Sequence, residues 1–284
     1  MSLFNLKRKD VTPDTDKREK RAFVRYFEIL IANFMKVVLV NLIYFACLLP
    51  LLCGLTTFVC GFLGLSAAAV ESFFFVHLFV WLTSVVTSFS WVIALLLFVA
   101  SLIAYGPLTA GLTFCMRNIA TGRHIWISDL FSRAKSNLKQ GIALGLIDVL
   151  VVLSFVFYIS SDLSVLQGGG LIFYRVLKIL AIAISVIYVV IRFYSYTIAV
   201  TFELPIKDIF KNCGIFIVLG FFKNILALLV CFLIIFGFIS TPKIDIILIG
   251  SLMFALMRYS VIFCTYSVID EYMIKPNERE EITE

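Results

Sequence analysis

Charge is what this sequence has least of. Asp, Glu, Lys and Arg make up 15% of its 284 residues, against 62% hydrophobic residues, and the mean hydropathy is +1.05. A soluble domain cannot cover its surface with so few charges, so that class is excluded. Histidine is scarce too. His77 and His124 are the only two, too few and too far apart in sequence to suggest a zinc site. The seven cysteines are an odd number, contain no C-x-x-C and sit mostly in apolar runs; they read as small apolar helix residues. The sequence also lacks G-x-x-x-x-G-K-[ST], H-E-x-x-H and G-x-S-x-G. "LQGGGL" reads as a turn, without the G-x-G-x-x-G frame. Nothing marks a catalytic residue, a metal or a cofactor, and the chain reads as non-enzymatic. A net charge of +6 in so apolar a chain makes no case for nucleic acid. It fits cytoplasmic retention signals and lipid headgroup contacts.

What is present is long apolar runs. Several approach or exceed the ~20 residues that cross a bilayer, and none alternates as barrel strands would. The reading is an all-α polytopic membrane bundle of about six spans. Residues 1–36 form a basic arm and an interfacial helix. The membrane domain covers 37–270, and 271–284 is an acidic tail. Residues 1–25 show no short apolar core with a cleavage site, so the first apolar run is expected to stay as an anchor. "RAFVRYFEILIANFM" (21–35) is amphipathic and suits the inner headgroup layer. Spans are expected near 37–55, 91–116, 141–160, 179–201, 213–239 and 246–268. Gly220 and Lys223 are candidates for dividing the fifth. The apolar insert 56–90 is read as an outer element, with two further crossings as the alternative.

Basic residues orient the spans. Of 24 Lys and Arg, 18 fall on the arm, the loops 117–140 and 202–212, or the tail. The positive-inside rule then places both ends in the cytoplasm. Within the first loop, "SDLFSRAKSNLKQ" has a helix start at Ser128 or Asp129. Leu130, Phe131, Ala134 and Leu138 share one face by spacing. Asp129, Phe131, Lys135 and Lys139, with Lys207, Phe210 and Lys211 in the second loop, are candidate partner-docking residues. The competing reading of this helix is simple interfacial anchoring.

"GPLTAGLTFCMRNIATGRHIWISDLFSRAKSNLKQG" (106–141) resembles the YesL-like family of bacterial membrane proteins, a family defined as a domain of unknown function. Gly106, Pro107, Ala110, Gly111, Arg117, Asn118, Asp129, Phe131, Lys135 and Lys139 carry the likeness. In "TFELPIKDIFKNCGIFIVLGFFKN" it is carried by Phe202, Leu204, Lys207, Lys211, Asn212 and Asn224. The insert 56–90 departs from the family's compact pattern. The resemblance implies a bacterial cytoplasmic-membrane protein accessory to a membrane transport system, carbohydrate uptake foremost. It supplies no catalytic residues.

Four ionisable residues lie inside apolar runs: Asp148, Arg192, Lys223 and Arg258. Each costs about 2.5–3.5 kcal/mol at mid-bilayer on insertion scales. Counted along straight helices from the inner ends, they sit about 10, 13, 15 and 15 Å deep. Tyr188 and Tyr196 share a helical face with Arg192. The expectation is a polar cluster in which Asp148 pairs with Arg192 or Arg258. One carboxylate cannot neutralise three cations. The surplus leaves snorkelling and structural pairing on one side, and an anionic ligand or lipid phosphate on the other. A small transporter or ligand-binding membrane protein is therefore the alternative function. Gly141-x-x-x-Gly145 would let another helix approach closely.

Overall fold

The computed structural model describes residues 22–62, 64, 74–160, 169–239 and 252–276. Among these the chain is helical, with no strand. The helices are α1 (Ala22–Ala32), α2 (Phe34–Phe62), α3 (Phe74–Phe89), α4 (Trp91–Ala120), α5 (Ser128–Ser136), α6 (Leu138–Ser160), α7 (Gly169–Thr201), α8 (Ile206–Leu219), α9 (Phe221–Ile239) and α10 (Phe254–Ile269). α10 runs on into one π-helical turn, Asp270–Ile274.

Four helices are long and apolar enough to cross a membrane, and a fifth span results if the bent pair α8–α9 is counted as one. α3 has 16 residues, about 24 Å of rise, short of the ~30 Å hydrocarbon layer. It packs beside α2, where Thr57 donates to Thr83 at 3.1 Å. The expected outer turn 240–245, the start of the sixth run and residues 277–284 of the acidic tail lie outside the described residues.

α4 organises the bundle. Its 30 residues rise about 45 Å, more than the hydrocarbon layer needs. The first third is exposed at Trp91, Ile93, Leu96 and Val99, whereas every residue from Gly106 to Ala120 is buried. The bundle is thus tight at one end and open at the other. The tight end also holds α5, residues 190–202 of α7, α8 and the end of α10.

Glycine makes that tightness attainable. A Cβ at Gly106 would overlap the carbonyl of Gly141; one at Gly145 would lie 2.8 Å from Gly106 Cα, and one at Gly141 2.7 Å from Pro107 Cα. α4 and α6 therefore meet backbone to backbone at the small-residue pair. Pro107 sits inside α4 and does not end it; nor does Pro50 end α2.

Other boundaries move for identifiable reasons. α4 continues past the expected Met116 to Ala120 because its stop signal is Gly122, at φ +76°. The amide of Gly122 donates to the Ile119 carbonyl at 3.0 Å and that of Arg123 to the Asn118 carbonyl at 2.8 Å, the paired bonds of a Schellman ending. The loop expected at 202–212 is mostly helix, with Pro205 at the cap of α8. The fifth apolar run is broken at Gly220, where α8 and α9 meet at 94°. Asn224 stabilises the break: its amide donates to the Phe216 and Ile217 carbonyls at 3.2 Å, and its Oδ1 accepts from Tyr194 at 2.6 Å. The last carbonyls of α8 thereby find donors.

Candidate functional site

A carboxylate inside an apolar bundle needs donors on every lone pair, and Asp148 of α6 has four. Tyr188 donates to Oδ1 at 2.7 Å. Oδ2 accepts from Arg192 Nε at 2.9 Å, Tyr196 at 2.8 Å and Tyr105 at 3.2 Å. Arg192 Nη2 donates to the Tyr105 hydroxyl at 2.6 Å. Tyr188, Arg192 and Tyr196 follow one another at i, i+4 and i+8 along α7, so a single helical face delivers all three. α4 contributes Tyr105 next to Gly106, at the point where it touches α6. The helix-to-helix contact at Gly106 and Gly145 is thus what brings this ion pair within reach of the tyrosine.

Arg258 of α10 joins the cluster differently. It is 8% exposed, its Nη1 donates to the backbone carbonyl of Arg192 at 3.4 Å, and its guanidinium lies 5.3 Å from the centroid of the Tyr196 ring. Nη2 is buried with no hydrogen-bond partner among the described residues. Asp148 therefore pairs with Arg192, and the same carboxylate has no bond to Arg258.

Lys223 does not join. The 94° break at Gly220 puts it three residues into α9, about 4.5 Å along that helix. The 15 Å depth counted on a straight helix does not hold. Lys223 is half-buried there and forms no ion pair with Asp148, whose bridge is to Arg192.

The docking candidates divide as well. Asp129 Oδ2 accepts the Trp126 amide at 2.8 Å and so fixes the entry into α5. Leu130 and Ala134 are buried, but Phe131 and Leu138 are each 48% exposed. The expected four-residue apolar face is thus a pair facing inward and a pair facing out. α5 ends at Ser136 and Leu138 opens α6, so the spacing from Leu130 to Leu138 does not run along one helix. Lys135, Lys139, Lys207 and Lys211 are exposed and Phe210 is half-buried. Gln140 Nε2 donates to the Leu204 carbonyl at 2.6 Å. That bond draws the two loops together around a cleft of about 630 Å³ lined by Lys135, Asn137, Lys139, Gln140, Glu203 and Pro205.

Three polar residues matter more than their sequence setting indicates. Tyr105 completes the shell around Asp148. Arg117, counted among the loop cations, is buried; it donates to Thr201 Oγ1 at 2.9 Å and to the Val200 carbonyl at 3.3 Å, tying the end of α4 to that of α7. Asn41 of α2 is fully buried, and its Oδ1 accepts the Ala255 amide at 2.6 Å, serving the first turn of α10. The Arg-Asn at 117–118 was a visible signal; Tyr105 and Asn41 had none beyond being polar in apolar runs. Among the described residues no group of His, Cys, Asp and Glu could hold a metal ion. No protein-family model, curated protein or solved structure matches this chain.

Proposed function

We propose that the chain is a non-enzymatic multi-pass protein of a bacterial cytoplasmic membrane that assembles with a transport system through its inner face. On the resemblance to the YesL-like family, that system is one for carbohydrate uptake. In this reading the chain crosses six times, counting α8–α9 as one bent crossing and α10 with the residues before it as the last. Both termini are inside, in keeping with the 18 of 24 basic residues on that side.

The observation that carries the reading is the convergence of two loops 64 residues apart, joined by the Gln140–Leu204 bond. Together they present Trp126, Phe131, Lys135, Lys139 and Lys207 at the surface. The cleft is lined by Lys135, Lys139 and Glu203 with polar neighbours, and exposed aromatic and basic side chains on the same two loops are the residue types that protein interfaces use. A lipid-anchoring face needs neither the cleft nor the tie between the loops.

A photocrosslinking residue placed at Phe131, and separately at Lys207, tests this in native membranes. Both positions are expected to trap the same protein, a component of a transporter. Recovery of lipid adducts alone would refute the assembly. A common protein partner with no part in transport would remove the transport assignment and leave the surface.

A further inference from the structure

Asp148 makes no bond to Arg258 among the described residues. Its Oδ2 accepts Tyr105, Arg192 and Tyr196 and its Oδ1 accepts Tyr188, so the carboxylate's charge is engaged by Arg192 and the tyrosines. Among the described residues the cluster therefore holds two cations against one anion. Arg258 is 8% exposed. Of its five N–H donors, one makes a long bond to the Arg192 carbonyl, and Nη2 meets nothing among the described residues. The Tyr196 ring under both guanidiniums, at 5.8 and 5.3 Å, attracts them but carries no charge. A buried cation left in this state costs several kcal/mol, and an apolar residue at 258 would avoid that cost in a helix already rich in Phe, Val and Ile.

The position of the site narrows what could fill it. Arg258 lies two residues from Ser260, about 3 Å along the axis. Ser260 Oγ shares a hydrogen bond of 2.7 Å with Tyr26 of α1, and Tyr259 donates to the Tyr26 carbonyl at 2.9 Å. α1 exposes Phe23, Phe27 and Ile31 along one face, the pattern of a helix lying in the headgroup layer. The Arg192 side chain is 36% exposed, so the cluster opens at its edge.

We propose that Arg258, with Arg192 beside it, forms a binding site for a singly charged phosphate group. The guanidinium fork matches two phosphate oxygens, and one negative charge closes the deficit that Asp148 leaves. A phospholipid headgroup of the inner leaflet and a free phosphate monoanion share this chemistry. The site is independent of the assembly surface and does not rest on the function proposed above.

The full chain, delipidated in maltoside micelles and held at constant ionic strength with chloride, is melted against two probes: phosphatidylglycerol and inorganic phosphate. With a probe about 100-fold above its Kd, the wild-type Tm is expected to rise by about 5 °C or more. Arg258→Met should melt at or above the wild type without either probe, because the unpaired cation is gone, and should lose the rise. A response to phosphatidylglycerol alone assigns the group to the leaflet; a response to inorganic phosphate alone assigns it to a solute. Absence of a rise with both probes, or equal rises in wild type and variant, would overturn the site. Should Arg258→Met not fold, Arg258→Gln, which keeps donors without the charge, carries the same comparison.

Discussion

Replacing Asp148 by Asn tests the electrostatic account of the bundle most directly. The Asp148 side chain is 4% exposed and the whole Arg192 side chain 36%. Removing one member of a buried ion pair costs about 3–5 kcal/mol, because the other charge is left behind. The tyrosine hydroxyl that accepts from Arg192 takes up part of the lost interaction, which puts the expected loss near the lower end, about 3 kcal/mol. Arg258 adds to the penalty, since the cluster then holds two cations and no anion. The asparagine keeps one acceptor oxygen where the carboxylate had two, so at least one of the three tyrosines meets the Nδ2 donor and loses its bond, which adds to the effect. The double variant Asp148→Asn with Arg192→Met should consequently regain most of the loss, coming within about 1 kcal/mol of wild type. Titration with sodium dodecyl sulfate in mixed micelles, followed by the fluorescence of the three tryptophans, measures each variant. An Asp148→Asn loss under about 1 kcal/mol, or a double variant whose losses simply add, would refute the reasoning.

Gly106→Ala should force α4 and α6 apart and cost about 1–3 kcal/mol, because the new methyl overlaps the Gly141 carbonyl. In the same unfolding titration Gly61→Ala, which meets nothing within 4 Å, should be neutral or gain up to about 1 kcal/mol. Asp129→Ala should remove the acceptor for the Trp126 amide and cost about 1 kcal/mol locally, seen as faster hydrogen exchange across 126–136. Reporter fusions at Thr121 and at the C-terminus should both be active on the cytoplasmic side; an external signal at either would invert the proposed orientation.

The helices themselves were legible in the sequence, and the reason is the solvent. In hydrocarbon every backbone amide must bond within its own segment, so an apolar run long enough to cross can only be a helix. Asp148, Arg192 and Arg258 were legible as a problem for the same reason: an ion in an apolar run needs an account wherever it sits. Tyr188 and Tyr196 could be tied to Arg192 because i+4 spacing lies within one helix. What the sequence could not give is the register between helices. Tyr105 reaches Asp148 across 43 residues, and Asn41 reaches Ala255 across 214; both contacts depend on how far one helix slides along another. Between α4 and α6 that slide is set by backbone contact at Gly106, Gly141 and Gly145. Lys223 shows the converse. Its apparent depth came from counting along a straight run, and the 94° break at Gly220, held by Asn224 and Tyr194, took it out of the cluster. Composition and hydropathy determined which segments are helices apolar enough to cross a membrane, because that depends on each segment alone. Which charges meet was decided by tertiary packing, since an ion pair needs two helices at one height.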